Sequence, residues 1–185
     1  MTTYYAHVDS HDELTDVDMS LMIKDGYGSD NVQNIEVSEK VYKNQDQYIY
    51  KNGKIVKNPN YEAEQLEKAK SEKYAEALAK AKDFIENGAL FQFDENNSIE
   101  ATDGNIGKFT AYALGFSTGA YERVFWTSHE DNVLELNADD VQNILTGLGV
   151  IQSDVWNVQF IAYKNSVEQA QTVAEVERIT INYVN

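Results

Sequence analysis

Tyr4, Ala6 and Val8 alternate with polar residues, which is the two-residue period of a half-buried strand. The run Lys24-Asp25-Gly26-Tyr27-Gly28-Ser29-Asp30 is loop chemistry, because its glycines permit positive φ and its aspartates bond nearby backbone. Ile35, Val37 and Val41 then read as a short β-like stretch. Tyr48-Ile49-Tyr50-Lys51 and Lys54-Ile55-Val56 flank Asn52-Gly53, a strong hairpin signal, since both central residues of a type I′ turn need φ > 0. Residues 1–58 therefore form a β-rich segment.

From Pro59 the period changes. Asn58 supplies a cap, and proline at the first helical position loses no hydrogen bond that a helix would have made. Nothing from Pro59 to Asn87 breaks a helix, and Gly88 is placed to end it. Leu66, Tyr74, Ala77, Leu78, Ala81, Phe84 and Ile85 form one stripe on a rod of roughly 40 Å. Two uses fit that stripe. The helix lies on its own domain, or its alanine-rich first half projects as an oligomer stem.

Residues 89–185 mix short strands and helices. Leu90, Phe91 and Phe93 lead into the turn cluster Asp94-Glu95-Asn96-Asn97, with Ile99 and Ala101 as partner strand. Thr102 or Asp103 caps a helix carrying Ile106, Phe109, Ala113 and Leu114, ended by Gly115. Val124-Phe125-Trp126 and Val133-Leu134-Glu135-Leu136 read as a second hairpin around His129-Glu130-Asp131-Asn132. Asn137-Ala138-Asp139-Asp140 opens a helix through Val141, Ile144, Leu145 and Leu148 that stops at Gly149. Ser153 caps another with Val155, Trp156, Gln159, Phe160, Tyr163 and Val167 inside, and Thr172-Val173-Ala174-Glu175 starts a last short one. Strands and helices cluster rather than alternate, so the class is α+β. The organisation is an N-terminal β-rich segment (1–58), a long connecting helix (59–88) and a compact α+β domain (89–185).

Charge adds an asymmetry to this layout. The 185 residues carry 31 Asp and Glu against 15 Lys and Arg, a net −16, and no cysteine. The three segments contribute −4, −2 and −10, so the acidity belongs to the last one. Such a chain repels polyphosphates, which argues against nucleic acid as a partner. Without cysteine there are no disulfides, thiolate metal sites or thiol nucleophiles. Apolar runs are interrupted every few residues, so no membrane span is expected. Met1 to Asp18 lacks the basic and apolar regions of a secretory signal, so synthesis in a cytoplasm is the expectation.

Candidate chemistry is sparse. His7 and His11 with Asp9 or Asp12 suggest a metal triad on paper, but i and i+4 positions of a strand lie about 13 Å apart. Asp12 to Asp18 resembles a calcium loop only superficially. Counted from Asp12, positions 3, 6 and 12 are Leu14, Val17 and Ile23, none of which suits its place in the pattern. Gly104-Asn105-Ile106-Gly107-Lys108 is no phosphate loop, since Thr102 stands where its first glycine belongs and Phe109 where its hydroxyl belongs. No Gly-x-Ser-x-Gly frame exists, and paired acids such as Asp139-Asp140 are explained as caps. The reading is therefore a non-enzyme with no catalytic residues, no cofactor and no metal. The chain's 12 Tyr are its main binding resource. Tyr4, Tyr5, Tyr42, Tyr48 and Tyr50 concentrate in the first segment and are the candidate partner-binding residues, since tyrosine suits protein interfaces and sugars alike. Trp126 and Trp156 sit among apolar neighbours and read as core.

The stretch Lys51-Asn52-Gly53-Lys54-Ile55-Val56-Lys57-Asn58-Pro59-Asn60-Tyr61-Glu62, leading into a Lys/Glu helix, resembles segments of bacteriophage tail and tail-fibre-associated proteins. From about residue 65 to 183 the chain is similar to an uncharacterised phage domain family. The likeness is carried by "LFQFD", "TDGNIGKF", "VFWTSHEDNVLEL", "LNADDVQNIL" and "TVAEVERI". It implies a virion or tail-structure role and supplies no catalytic residues. The expectation is a structural protein of the virion, made in the host cytoplasm. It attaches to other phage structural proteins through its first segment, with the 59–88 helix as a site for homo-oligomer formation, and displays its acidic domain. A carbohydrate- or receptor-binding tail module, acting on host surface sugars in host attachment, and a tail-fibre assembly chaperone are the alternatives.

Overall fold

The structure, a computed structural model, describes residues 4–9, 32–51 and 54–185. The expected loop at 24–30, the acidic turn at 12–18, His11 and the Asn52-Gly53 pair lie outside the described residues. The class is α+β, with one long helix and small two-stranded sheets. The chain divides into two compact units, residues 1–65 and 66–185.

In the first unit, β1 (Tyr4–Asp9) pairs antiparallel with β2 (Val32–Val37). A short helix, α1 (Glu39–Lys43), follows, capped by the Ser38 hydroxyl, which accepts from the Val41 N–H. The expected β-like stretch therefore ends at Val37, and Val41 is helical. A 3-10 turn (Gln45–Gln47) leads to the hairpin of β3 (Tyr48–Lys51) and β4 (Lys54–Lys57), in which Lys51 faces Lys54. Asn58, Pro59 and Asn60 form a turn outside the next helix, with the Asn58 carboxamide oxygen accepting from the Asn60 N–H at 2.9 Å. Helix α2 (Tyr61–Asn87) begins two residues later than the proline rule placed it. The Tyr61 hydroxyl donates to Asp46 at 2.8 Å, and this bond to a carboxylate holds the phenol above its ordinary value.

The second unit starts with the rest of α2. Its elements are the hairpin β5 (Leu90–Asp94) and β6 (Asn97–Glu100), α3 (Asp103–Ser117), and the hairpin β7 (Val124–Thr127) and β8 (Val133–Leu136). Then come α4 (Ala138–Asp154), a π-helical turn (Val155–Phe160), α5 (Ile161–Gln169) and α6 (Val173–Arg178). Capping follows the residue chemistry. Thr102 opens α3, and Asn137 with Asp140 makes a full capping box at α4. Thr172 accepts from the Glu175 N–H at α6, while the Glu175 carboxylate reaches Gln171 instead of closing the box.

Two glycines expected to end helices do not. Gly115 lies inside α3, where a Cβ would come within 2.1 Å of the Tyr121 ring, so its place is set by the close approach of that ring. Gly149 lies inside α4, and Ser153, expected as a cap, is inside it too. Helical backbone is thus continuous from Ala138 to Gln169. It is made continuous by the π turn. Val155 and Phe160 are both buried although five residues apart, a spacing that puts side chains roughly 140° apart on an α-helix and on one face of a π turn.

The buried residues form two clusters. One gathers Ile99, Phe109, Leu136, Val141, Ile144 and Leu148 under both hairpins. The other gathers Ala77, Ala81 and Ile85 of α2 with Val155, Phe160, Ile181 and Tyr183. The stripe of α2 thus lies on its own unit from Tyr74, whose ring meets Phe160 at 5.5 Å, onward. Trp126 packs against the first cluster and Trp156 against the second, as expected of core residues. Leu114, expected on the apolar face of α3, faces solvent instead. It is 65% exposed, because Phe109, Tyr112, Ala113 and Phe116 already occupy the inner face of α3.

Phe109→Ala is expected to lower unfolding stability by about 3–5 kcal/mol, as large-to-small changes in a sealed core do. Leu114→Ala on the same helix should change it by no more than about 0.5 kcal/mol. Urea unfolding followed by circular dichroism measures both.

Candidate functional site

The densest polar cluster of the second unit lies where the turns of its two hairpins meet. It is assembled from short-range turn chemistry. Asp94 Oδ1 accepts from the Asn96 N–H and from Asn97 Nδ2, both at 2.8 Å, which closes the β5–β6 turn. In the β7–β8 turn the Ser128 N–H donates to the Asn132 carbonyl at 2.9 Å, and Asp131 takes a positive φ of 62°, a conformation short polar residues tolerate.

The two turns are then joined through side chains. Asn97 Oδ1 accepts from Ser128 Oγ at 3.2 Å and from Asn132 Nδ2 at 3.0 Å. The Glu130 carboxylate takes both donors of Ser98, the N–H at 2.8 Å on Oε2 and the hydroxyl on Oε1. The Ser98 carbonyl in turn accepts from the His129 N–H at 2.9 Å. Every hydrogen-bonding group of Ser98, a buried residue, is therefore engaged by the opposite turn. Beside this, His129 Nδ1 stands 3.1 Å from Glu100 Oε1, and Asn105 Nδ2 donates to the Glu100 carbonyl at 3.1 Å.

The electrostatics follow from those donors. The hydroxyl and backbone N–H of Ser98 hold the Glu130 carboxyl down at about 2, against 4.5 ordinarily. Asp94 is lowered too, first by the Asn96 N–H and then by the Asn97 amide. A carboxyl tuned for acid catalysis is shifted the other way, and one pinned this low is a weak base at neutral pH. Ser98 donates its proton to a carboxylate that does not remove it. The arrangement is a latch between hairpins.

A second feature is an open groove of about 310 Å³ between the last turns of α2 and the C-terminal tail. Lys80, Asp83 and Asn87 line one side and Ile181 to Tyr183 the other, with Phe84 and Tyr183 stacked at 6.3 Å at its floor. Lys80 Nζ crosses it to the Ile181 carbonyl at 3.2 Å, and the Tyr183 hydroxyl anchors to the Ala77 carbonyl at 3.0 Å. Burial raises the Tyr183 phenol to about 12.

The five candidate tyrosines fall on three elements of the first unit. Tyr4 and Tyr5 are on β1, opposite Val37 and Glu36, and Tyr48 and Tyr50 are on β3, opposite Lys57 and Ile55. Tyr42 sits on α1, not on a strand, and that helix packs beside β1. Tyr42 and Tyr48 are half-buried. The same unit has a shallow concavity of about 420 Å³ between the end of β2 and the start of β4, lined by Ile35, Val37, Val41 and Ile55 among others. Among the described residues, no group of three or more His, Asp or Glu is placed to hold a metal ion, and no helix is long and apolar enough to cross a membrane.

The latch escaped sequence reasoning because its partners are about thirty residues apart. The only local signal is a pair of turns equally rich in Asn, Asp and Ser, which reads as two independent hairpins. The groove joins residues about a hundred apart and has no local signal.

Glu130→Gln is expected to destabilise the second unit at neutral pH, because the new amide nitrogen or a single oxygen must face two donors of Ser98. The folded carboxyl is held below its unfolded value, so its contribution is complete above about 4.5 and is lost as pH falls toward about 2. The variant should accordingly lose stability less steeply than the parent across that window, as measured by thermal unfolding at stepped pH.

No protein-family model matches the chain, and comparison with curated proteins and with solved structures finds no match either.

Proposed function

We propose that the chain is a non-enzymatic bacteriophage structural protein of the virion or tail, which works by contact. The first unit attaches to another phage structural protein, with Tyr4, Tyr5, Tyr42, Tyr48 and Tyr50 as the contact residues, and the acidic second unit is displayed. One observation carries the non-catalytic part of this reading. The most concentrated set of serine, histidine and carboxylate side chains in the second unit is spent on joining two hairpins, and its Glu130 and Asp94 carboxyls are shifted away from acid–base use. Meanwhile Phe125 and Val133 on the β7–β8 hairpin stand 65% and 71% exposed, which suits contact better than chemistry. The phage assignment rests on the motif resemblance.

The α2–tail groove favours a second reading, a carbohydrate-binding tail module. An aromatic pair beside an ammonium, a carboxylate and an amide is the donor–acceptor mixture that hydroxyl-rich ligands take.

Mass spectrometry of purified particles is expected to find the protein at a fixed ratio to the other tail components. Presence only in infected-cell lysate would refute the virion role and leave the assembly chaperone. Calorimetric titration with host wall polysaccharide separates the second reading. Binding that weakens at least tenfold in Asp83→Ala supports it, and no heat at any concentration removes it.

A further inference from the structure

The helical run from Ala138 to Gln169 turns one face to the two cores and the other to solvent. The solvent face is long and uncharged, where the similar run from Thr110 in α3 to Tyr121 just beyond it is shorter. Every exposed position between Gln142 and Ser166 is uncharged, although a quarter of the whole sequence is Asp, Glu, Lys or Arg. At its middle, Val150, Val158 and Ile161 are 63%, 58% and 41% exposed. The charged residues of this stretch, Asp154 and Lys164, are half-buried at its margins. Asp154 accepts from Gln159 Nε2 at 2.6 Å, and Lys164 faces Glu168 at 3.8 Å. An exposed helix normally carries charge on its outer face, and α2 does so with Glu and Lys throughout.

We propose that this face is the seam of a homodimer, in which a second copy of the chain packs antiparallel across a two-fold axis near Asp154. Two copies of a chain with net charge −16 repel each other wherever carboxylates meet, and this strip lets them approach without opposing like charges. The pattern along the strip is also close to palindromic. Polar Gln142, Asn143 and Thr146 stand at one end and polar Asn165 and Ser166 at the other, with Val150, Val158 and Ile161 between them, interspersed with Ser153 and Asn157. An antiparallel two-fold pairing sets polar ends against polar ends and Val150 against Val158 and Ile161 of the second copy, as an isologous interface requires. Gly149, Ser153 and Ala162 leave room for close helix approach.

The strip is about 36 Å long, and at a helix width of about 10–12 Å it offers on the order of 400 Å² per copy. That is the small class of interface, so the dimer is reversible and concentration-dependent, with a Kd of about micromolar or weaker. This inference does not depend on the virion role. It places an oligomer seam on the outer face of α4 and α5, separate from the first half of α2.

Sedimentation velocity over a dilution series is the test. The full chain should shift from twice its 21.0 kDa mass toward the single mass on dilution. Val158→Asp, at an exposed position, should stay monomeric at every concentration with an unchanged circular dichroism spectrum. A monomeric parent up to about millimolar, or a dimer unaffected by Val158→Asp, overturns the proposal. The chain has no cysteine, so single-cysteine variants report the geometry. Under mild oxidation Ser153→Cys, near the axis, should form disulfide-linked dimer, and Gln142→Cys, whose symmetry mate lies about 36 Å away, should not. Equal cross-linking of the two overturns the antiparallel arrangement.

Discussion

The second unit depends on one helical run serving two cores. Its first half delivers Val141, Ile144 and Leu148 beneath the hairpins, and its second half delivers Val155 and Phe160 toward α2 and the tail. A regular α-helix cannot keep all of these inward, because Val155 and Phe160 fall out of register by more than a quarter turn. The π turn supplies the missing rotation at the cost of poorer local hydrogen-bond geometry. Burial of a Val and a Phe side chain, each worth about 1.5–3 kcal/mol, outweighs that local loss. The same rotation keeps the opposite, uncharged face continuous past Asp154.

The hairpins need a different kind of support. A two-stranded sheet is marginal alone, and each of these presents unpaired edges. The first core covers one face of each, and the latch between Ser98 and Glu130 ties their turns. Sealing Ser98 against a carboxylate satisfies a buried hydroxyl and a buried N–H with one acceptor group, where an unmatched donor would cost about 1–3 kcal/mol. The contact chemistry proposed for this protein is thereby kept apart from its architecture. Polar groups tie the hairpin turns together, and the apolar Phe125 and Val133 remain outside.

Much of this was legible in the chain because it is local. The Asn137–Asp140 capping box, the Thr102 and Thr172 caps, both C-terminal hairpins and the inward stripe of α2 all follow from residues within a few positions of each other. Where reading failed, a distant partner decided. Gly115 looked like a helix end, yet the ring of Tyr121 needs that space. Gly149 and Ser153 looked like a stop and a restart, yet inner residues on both sides are better satisfied by continuing through a π turn. Leu114 fitted the apolar period but lost its place to Tyr112 and Phe116. The latch and the groove were invisible for the same reason, since each is made by segments that local pattern treats separately.

The anchoring of the C-terminal tail has a consequence for the order of folding. The Tyr183 hydroxyl bonds to Ala77, a separation of 106 residues, and Ile181 completes the same core. During synthesis α2 therefore emerges with its alanine stripe uncovered and waits about 5–20 s for the segment that closes over it. The hairpins and α3, whose contacts are nearer in sequence, form first. The stripe that waits carries Leu78, Phe84 and Ile85 beside its alanines, so apolar surface stays open to water in the interval.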